Sequence, residues 1–457
     1  MKKKIIYLSV ILVLVISVIT LSSIYKSKDN KYKKEYNTIP KEMAIMIKEE
    51  GATDYVQSNS KDIPKGNYVL NEEKTYCENN GKVTNYDSSS GSVSINFIGS
   101  DRCYLYFDYE IPDGWKTILI NNGNGATTVE EAKTYIEGRT TSTTPNFANT
   151  ATTNEGMYAA ADDYTATTGM KSYYFRGAVD NNWVKFGKDS TGKDIYWRII
   201  RINGDGSIRM IYSGTTAPTE STKVVMTGTG TQINATSYMF NSSRDKSEYV
   251  GYMYTLGEQH GTSTNSTIKT TIDNWYKTTT LETDLKTKSL VADQIFCNDR
   301  SPSSTQTAAW TSTGTYNYGA YGRLSSNKTP ILTCPTASDK FTVNTSNGNG
   351  ALTYPVGLIT ADEVAMAGGV FDSNNSSHYL YTNQIYWSGS PSFFNGNNAF
   401  AVAFYVYSSG NFNASFVSYN GSARPVVSLS SEARLSGNGT YSNPYTVSWA
   451  IEKYLKI

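Results

Sequence analysis

Trp197-Arg198-Ile199-Ile200-Arg201-Ile202, then Asn203-Gly204-Asp205-Gly206, then Ser207-Ile208-Arg209-Met210-Ile211-Tyr212 reads as a β-hairpin. Branched and aromatic side chains suit a pleated surface, and the Asn/Gly/Asp/Gly tetrad suits a tight reversal. The tetrad superficially resembles the opening of a calcium loop, but the ligand-bearing continuation is missing and a hairpin turn accounts for it. Downstream, Ser266 to Thr280 places Ile268, Ile272, Trp275 and Tyr276 on one helical face, and Leu281 and Leu285 extend the spacing into a second helix. Leu358-Ile359 leads into Thr360-Ala361-Asp362-Glu363, a capping box, with Gly368-Gly369 ending a short helix. From Ile385 the pattern returns to strands and turns. Two helices set among hairpins predict an α+β domain over residues 156–450.

Upstream, residues 63–112 predict a small antiparallel β domain of about four strands. Turn signals at Asn79-Asn80-Gly81 and Ser88-Ser89-Ser90-Gly91 separate apolar runs, and Val93, Ile95 and Phe97 alternate with polar residues at period two. Residues 113–155 read as a connector: Thr127 and Glu130 predict a helix start, Gly138 its stop, and 139–155 a linker. Residues 26–62 read as a polar stalk with a helical stretch around Glu42 to Glu50 carrying Met43, Ile45, Met46 and Ile47.

At the start, Lys2, Lys3 and Lys4 precede an uncharged apolar run from Ile5 to Ile24. About 20 such residues, rising roughly 1.5 Å each, match a hydrocarbon core of about 30 Å. Residues 1–25 are therefore expected to be a signal-anchor helix, with the chain beyond them outside the cell; the alternative is secretion after signal cleavage. Charged residues make up only 18% and the net charge is +1. A nucleic-acid binder would need a basic face, so nucleic acid is disfavoured as a partner. The four cysteines fit no zinc spacing. Pairing Cys77 with Cys103 and Cys297 with Cys334 keeps each bridge local, and the alternative is four buried thiols.

The order Trp197-Arg198, Ile272-Asp273-Asn274-Trp275, Gly357-Leu358-Ile359-Thr360-Ala361-Asp362-Glu363, Tyr386-Trp387-Ser388-Gly389-Ser390-Pro391 and Arg424-Pro425-Val426-Val427-Ser428-Leu429 resembles bacterial extracellular domains of the C-type-lectin-like fold, in its formylglycine-generating-enzyme variant. The resemblance covers about 172–447. It implies three activities, and two lack their residues: no cysteine pair for copper and oxygen lies in 385–457, and neither sugar-binding calcium triplet, Glu-Pro-Asn or Gln-Pro-Asp, occurs. The third is a variable binding face like that of retroelement-diversified proteins. On that resemblance the expected ligand-binding residues are Trp387, Phe393, Phe394, Asn395, Asn397, Asn398, Tyr405, Tyr407, Asn411, Asn413, Tyr419 and Asn420. Aromatic rings offer rigid contact area while Asn adapts its hydrogen bonds. Phe400, Val402, Phe404 and Val406 alternate as an inward face would.

No nucleophile elbow, phosphate loop or dinucleotide fingerprint is present, and His260 and His378 lack metal-ligand spacing. Asp362 and Glu363 are accounted for by the helix N-terminus. The expectation is a membrane-tethered surface protein binding an unknown glycan or protein, with no cofactor, no metal and no catalytic residue. The alternatives are a cell-wall-acting enzyme whose carboxylates the sequence does not single out, or a purely structural surface protein.

Overall fold

The computed structural model describes residues 42–49, 52–65, 68–88, 90–96, 101–109, 113–233 and 238–449. The Ile5–Ile24 segment and the front of the stalk lie outside them. Among the described residues no helix is long and apolar enough to cross a membrane. The fold is mixed α+β, mostly strands with few helices, in two compact units, 1–110 and 111–457.

In the first unit, Glu42–Lys48 is a strand and not the expected helix, and it pairs in parallel with Arg102–Tyr109 over its whole length. Glu, Met, Ala and Lys favour helix locally, but Ile45 and Ile47 are spaced by two, and a strand partner overrides weak local preference. Cys103, Leu105 and Phe107 alternate inward on the partner and close the core with Ile45. The sheet is therefore mixed, not a plain antiparallel meander, because its central pair is parallel. Two-residue Val56–Gln57 and Tyr76–Cys77 and three-residue Tyr68–Leu70 complete it. The expected turn at 88–91 joins Lys82–Asp87 and Ser92–Asn96 in an antiparallel hairpin that carries the alternating Val93 and Ile95, while Phe97 lies outside the described residues.

Cys77 and Cys103 face each other across two strands and are bonded. Among the described residues that core has four buried side chains, so the bridge matters. Closing a loop of this span stabilises by roughly 3 kcal/mol, so Cys77→Ala/Cys103→Ala is expected to lower the unit's unfolding free energy by about that amount in urea titrations.

In the second unit the hairpin of Asp194–Ile202 and Ile208–Gly214 sits centrally in a sheet of order 291–292, 426–429, 208–214, 194–202, 183–188, 445–449, 433–436, with 172–177 and 154–160 added beside it. The turn closes through Gly206 N–H to the Asn203 carbonyl, at a Gly206 φ of 82°. Asp205 accepts from Ser207 and Gln294, so it serves the turn. Arg198 and Arg424, from the Trp-Arg and Arg-Pro motifs, are interior posts. Arg198 donates to Asn182 Oδ1 and the Val179 and Val224 carbonyls and stacks on Trp183 at 4.2 Å. Arg424 donates to the Tyr212 and Leu380 carbonyls and lies 4.8 Å over Tyr386.

Thr267–Tyr276 is the expected helix, capped by Ser266, with Ile268, Ile272 and Tyr276 buried. Its expected successor is present as two short helices, Thr280–Thr283 and Leu285–Ser289, with Leu281 buried and Leu285 83% exposed. The upstream helix is capped by Thr128 with Glu131, one residue later than expected, and runs past Gly138 to Ser142. The expected linker is anchored: Arg176 donates to the Asn146 and Asn149 carbonyls and stacks on Phe147 at 5.1 Å, and Asn154–Ala160 is a sheet strand. A Thr/Asn-rich sequence has no apolar period to announce such docking, which is made through backbone carbonyls. Cys297 and Cys334 are bonded.

Candidate functional site

Tyr386–Asn395, Phe400–Val406 and Asn411–Phe416 are the antiparallel centre of a second sheet in this unit. Register places Phe393, Val402 and Phe416 side by side, and the period-two pleat adds Phe400, Phe404, Val406 and Phe412 to the same face. Val402, Phe404, Val406 and Phe412 are buried, as their alternation predicts, while Phe393, Phe400 and Phe416 at one end are only half-covered.

Rings from three other segments extend that exposed end into a row. Centroid separations run 6.3 Å from Phe371 to Tyr321, 5.7 Å to Phe393, 6.1 Å to Phe400, 4.6 Å to Phe416 and 5.0 Å to Tyr419, each step edge-to-face. This is the favoured aromatic geometry, worth about 0.5–1.5 kcal/mol per pair beyond area burial. The row is rigid and partly wet. Asn395 accepts from the Asn398 N–H, shaping the turn that carries exposed Asn397 and Asn398 beside Phe400.

The expected binding residues divide between surface and interior. Phe393, Asn395, Asn397, Asn398, Tyr419 and Asn420 belong to the end with the ring row. Tyr407 and Asn411 flank the opposite turn, where the Tyr407 N–H donates to the Asn411 carbonyl. Asn413 is half-buried and donates to Asp372 Oδ1 at 3.0 Å. Trp387, Phe394 and Tyr405 are core residues on the other face, at 0%, 0% and 3% exposure, and cannot meet a ligand there. Trp387 donates to the Tyr238 carbonyl and packs on Tyr405 at 5.0 Å, and a Cβ at Gly421 would fall 2.5 Å from its Nε1. Phe400, Phe416, Tyr321 and Phe371 join the row without having been singled out. Phe400 matched an inward alternation, and alternation does not tell where along a face the cover ends.

Carboxylates also converge inside this unit. Arg201 pairs with Glu363 Oε1 at 2.9 Å and Asp162 Oδ2 at 3.2 Å, and Arg209 reaches the same Glu363 oxygen at 2.6 Å. Arg323 takes Asp362 through two nitrogens and Asp299 through a third. Between them lies a cavity of about 20 Å³, room for one water. Burial alone would raise the Glu363 carboxyl, but Arg209 and Arg201 outweigh it and hold it below the usual carboxylate range. A general acid must keep a proton near neutral pH. Glu363 is instead a charged clamp joining the central hairpin to the Ala361–Met366 helix, whose capping box it also completes.

His260 Nδ1 lies 3.0 Å from both oxygens of buried Asp339, which Arg300 also holds, so this loop histidine is anchored. His378 is interior, at 1% exposure. Among the described residues one group has metal-like spacing, Cys77, Asp101 and Cys103, but its two sulfurs are joined to each other and offer no thiolate.

No protein-family model matches this chain, and neither a curated protein nor a solved structure matches it. The lectin-like resemblance, carried by short motifs, gains no support from relatives.

Proposed function

We propose that this chain is a surface-displayed binding protein, tethered by its N-terminal apolar segment, that takes a glycan or protein ligand on the ring row at the end of the 386–416 sheet. The observation that carries this reading is the row itself: six adjoining rings, half-covered or exposed, on a rigid sheet, with no charged residue between 386 and 423. Large apolar rings left at the surface are the material of interaction hot spots. The Asn-rich turn beside them supplies adaptable donors and acceptors. The cell-wall enzyme alternative draws less support, since the converging carboxylates are all engaged by arginines.

The test is a printed array of glycans and extracellular proteins probed with the full chain. Phe400→Ala and Tyr419→Ala are each expected to weaken a captured ligand about tenfold, near 1.4 kcal/mol. Leu285→Ala, exposed elsewhere, is expected to leave it unchanged. Equal capture by all three variants would remove the ring row as the binding face.

A further inference from the structure

The row ends on a cation with nothing to hold. Arg244 is exposed, its guanidinium lies 4.5 Å over the Phe416 ring, and its carbonyl accepts from the Ala401 N–H at 2.7 Å, which fixes its backbone against the sheet. Among the described residues its side chain makes no ion pair and donates no hydrogen bond. At the opposite end Lys328 stands 5.7 Å over Phe371, but Asp372 beside it already supplies an opposing charge. Among the described residues, the Phe416 and Tyr419 end therefore carries a cation without an ion pair or hydrogen bond.

A guanidinium stacked on a ring keeps its N–H edge for a planar anion, which it grips through two parallel hydrogen bonds. Phe400 contacts the same Phe416 ring at 4.6 Å. A ligand meeting both must carry a flat apolar face and an anion on one rigid unit. A pyranose whose ring bears a carboxylate does this: its C–H face covers Phe400 or Phe393 while the carboxylate reaches Arg244. A phosphodiester polymer places its charge on a flexible link away from any such face.

We infer that the ligand is an acidic glycan built of uronic acids, its sugar faces on Phe393 and Phe400 and one carboxylate on Arg244. This rests on the ring row being the binding face. Neighbouring units of such a chain would continue over Asn397 and Asn398, whose amides suit hydroxyl groups.

The experiment measures binding of the full chain to oligogalacturonate, to hyaluronan and alginate oligomers, to methyl-esterified oligogalacturonate, and to poly(glycerol phosphate), with Arg244→Gln and Phe400→Ala alongside. The expected result is binding to at least one uronate oligomer, at least tenfold loss on esterification if that oligomer is the galacturonate, and a loss of about tenfold in Arg244→Gln that high salt reproduces in the unaltered chain. Phe400→Ala is expected to weaken the charged and esterified forms alike. Equal binding of acid and ester, both weakened by Phe400→Ala, would overturn the charge assignment and leave the ring face standing. Preference for the phosphate polymer would overturn the carboxylate assignment. Binding to none of the oligomers would overturn the proposal, and the ring face would then be judged by the array alone.

Discussion

Glu363→Gln is expected to lower the unfolding free energy of the second unit by about 3–5 kcal/mol, the usual consequence of removing one member of a buried ion pair. The reason lies in what is left behind. Arg201 would retain Asp162, but Arg209, 1% exposed, would be left with neutral acceptors alone, the Ile295 and Leu358 carbonyls and the amide oxygen of the substituted side chain. An uncompensated buried charge costs more than the pair ever contributes in net terms. The companion variant is therefore Glu363→Met with Arg209→Met, which removes both charges and is expected to recover most of the loss. Urea midpoints at neutral pH decide the matter. A Glu363→Gln loss below about 1 kcal/mol, or no recovery in the double variant, would mean that the cluster does not hold the hairpin to the helix in the way described.

This clamp shows where sequence reading stops. The hairpin is legible in Trp197–Tyr212 because branched residues and an Asn-Gly-Asp-Gly turn agree locally, and the Thr360–Glu363 capping box is legible because its partners are three residues apart. The second use of Glu363 is not, since Arg201 and Arg209 come from a segment about 150 residues earlier. The same divide runs through the candidate site. Its central strands and their alternation can be read from residues 386–416. Its ring row cannot, because Tyr321, Phe371 and Tyr419 reach it through tertiary packing. Trp387, Phe394 and Tyr405 were misplaced for the converse reason: composition marks rings as suited to binding or to packing, and burial alone separates the two. At Glu42–Lys48 helix-favouring residues became a strand because a ready partner, Arg102–Tyr109, offered a complete hydrogen-bond ladder.

Acidification is expected to destabilise the second unit before the Glu363 clamp titrates, and His378 is the cause. Burial, with Arg424 and Arg176 nearby, pushes this imidazole from its ordinary 6.5 down to about 3. Its Nδ1 has no hydrogen-bond partner among the described residues, so a proton placed there would find no acceptor. Between these two values the unfolded chain binds a proton that the folded chain refuses, so unfolding free energy falls as pH falls, at about 1.4 kcal/mol per unit. From pH 7 to pH 3.5 the loss from this group alone is expected to be about 4 kcal/mol. Glu363 acts in a different window. Its folded value is depressed, so its contribution is intact above the ordinary glutamate value of 4.5 and disappears only as pH falls through the lower folded one. Stability lost between pH 6.5 and 4.5 is thus assigned to the histidine, and His378→Leu, which cannot take a proton, is expected to flatten that part of the curve while leaving the steeper fall below it. Urea unfolding of both proteins at half-unit pH steps makes the comparison. Parallel curves for His378→Leu and the unaltered chain between pH 6.5 and 4.5 would show that the histidine is protonated in the folded state, and therefore that the pocket around it holds an acceptor or admits water.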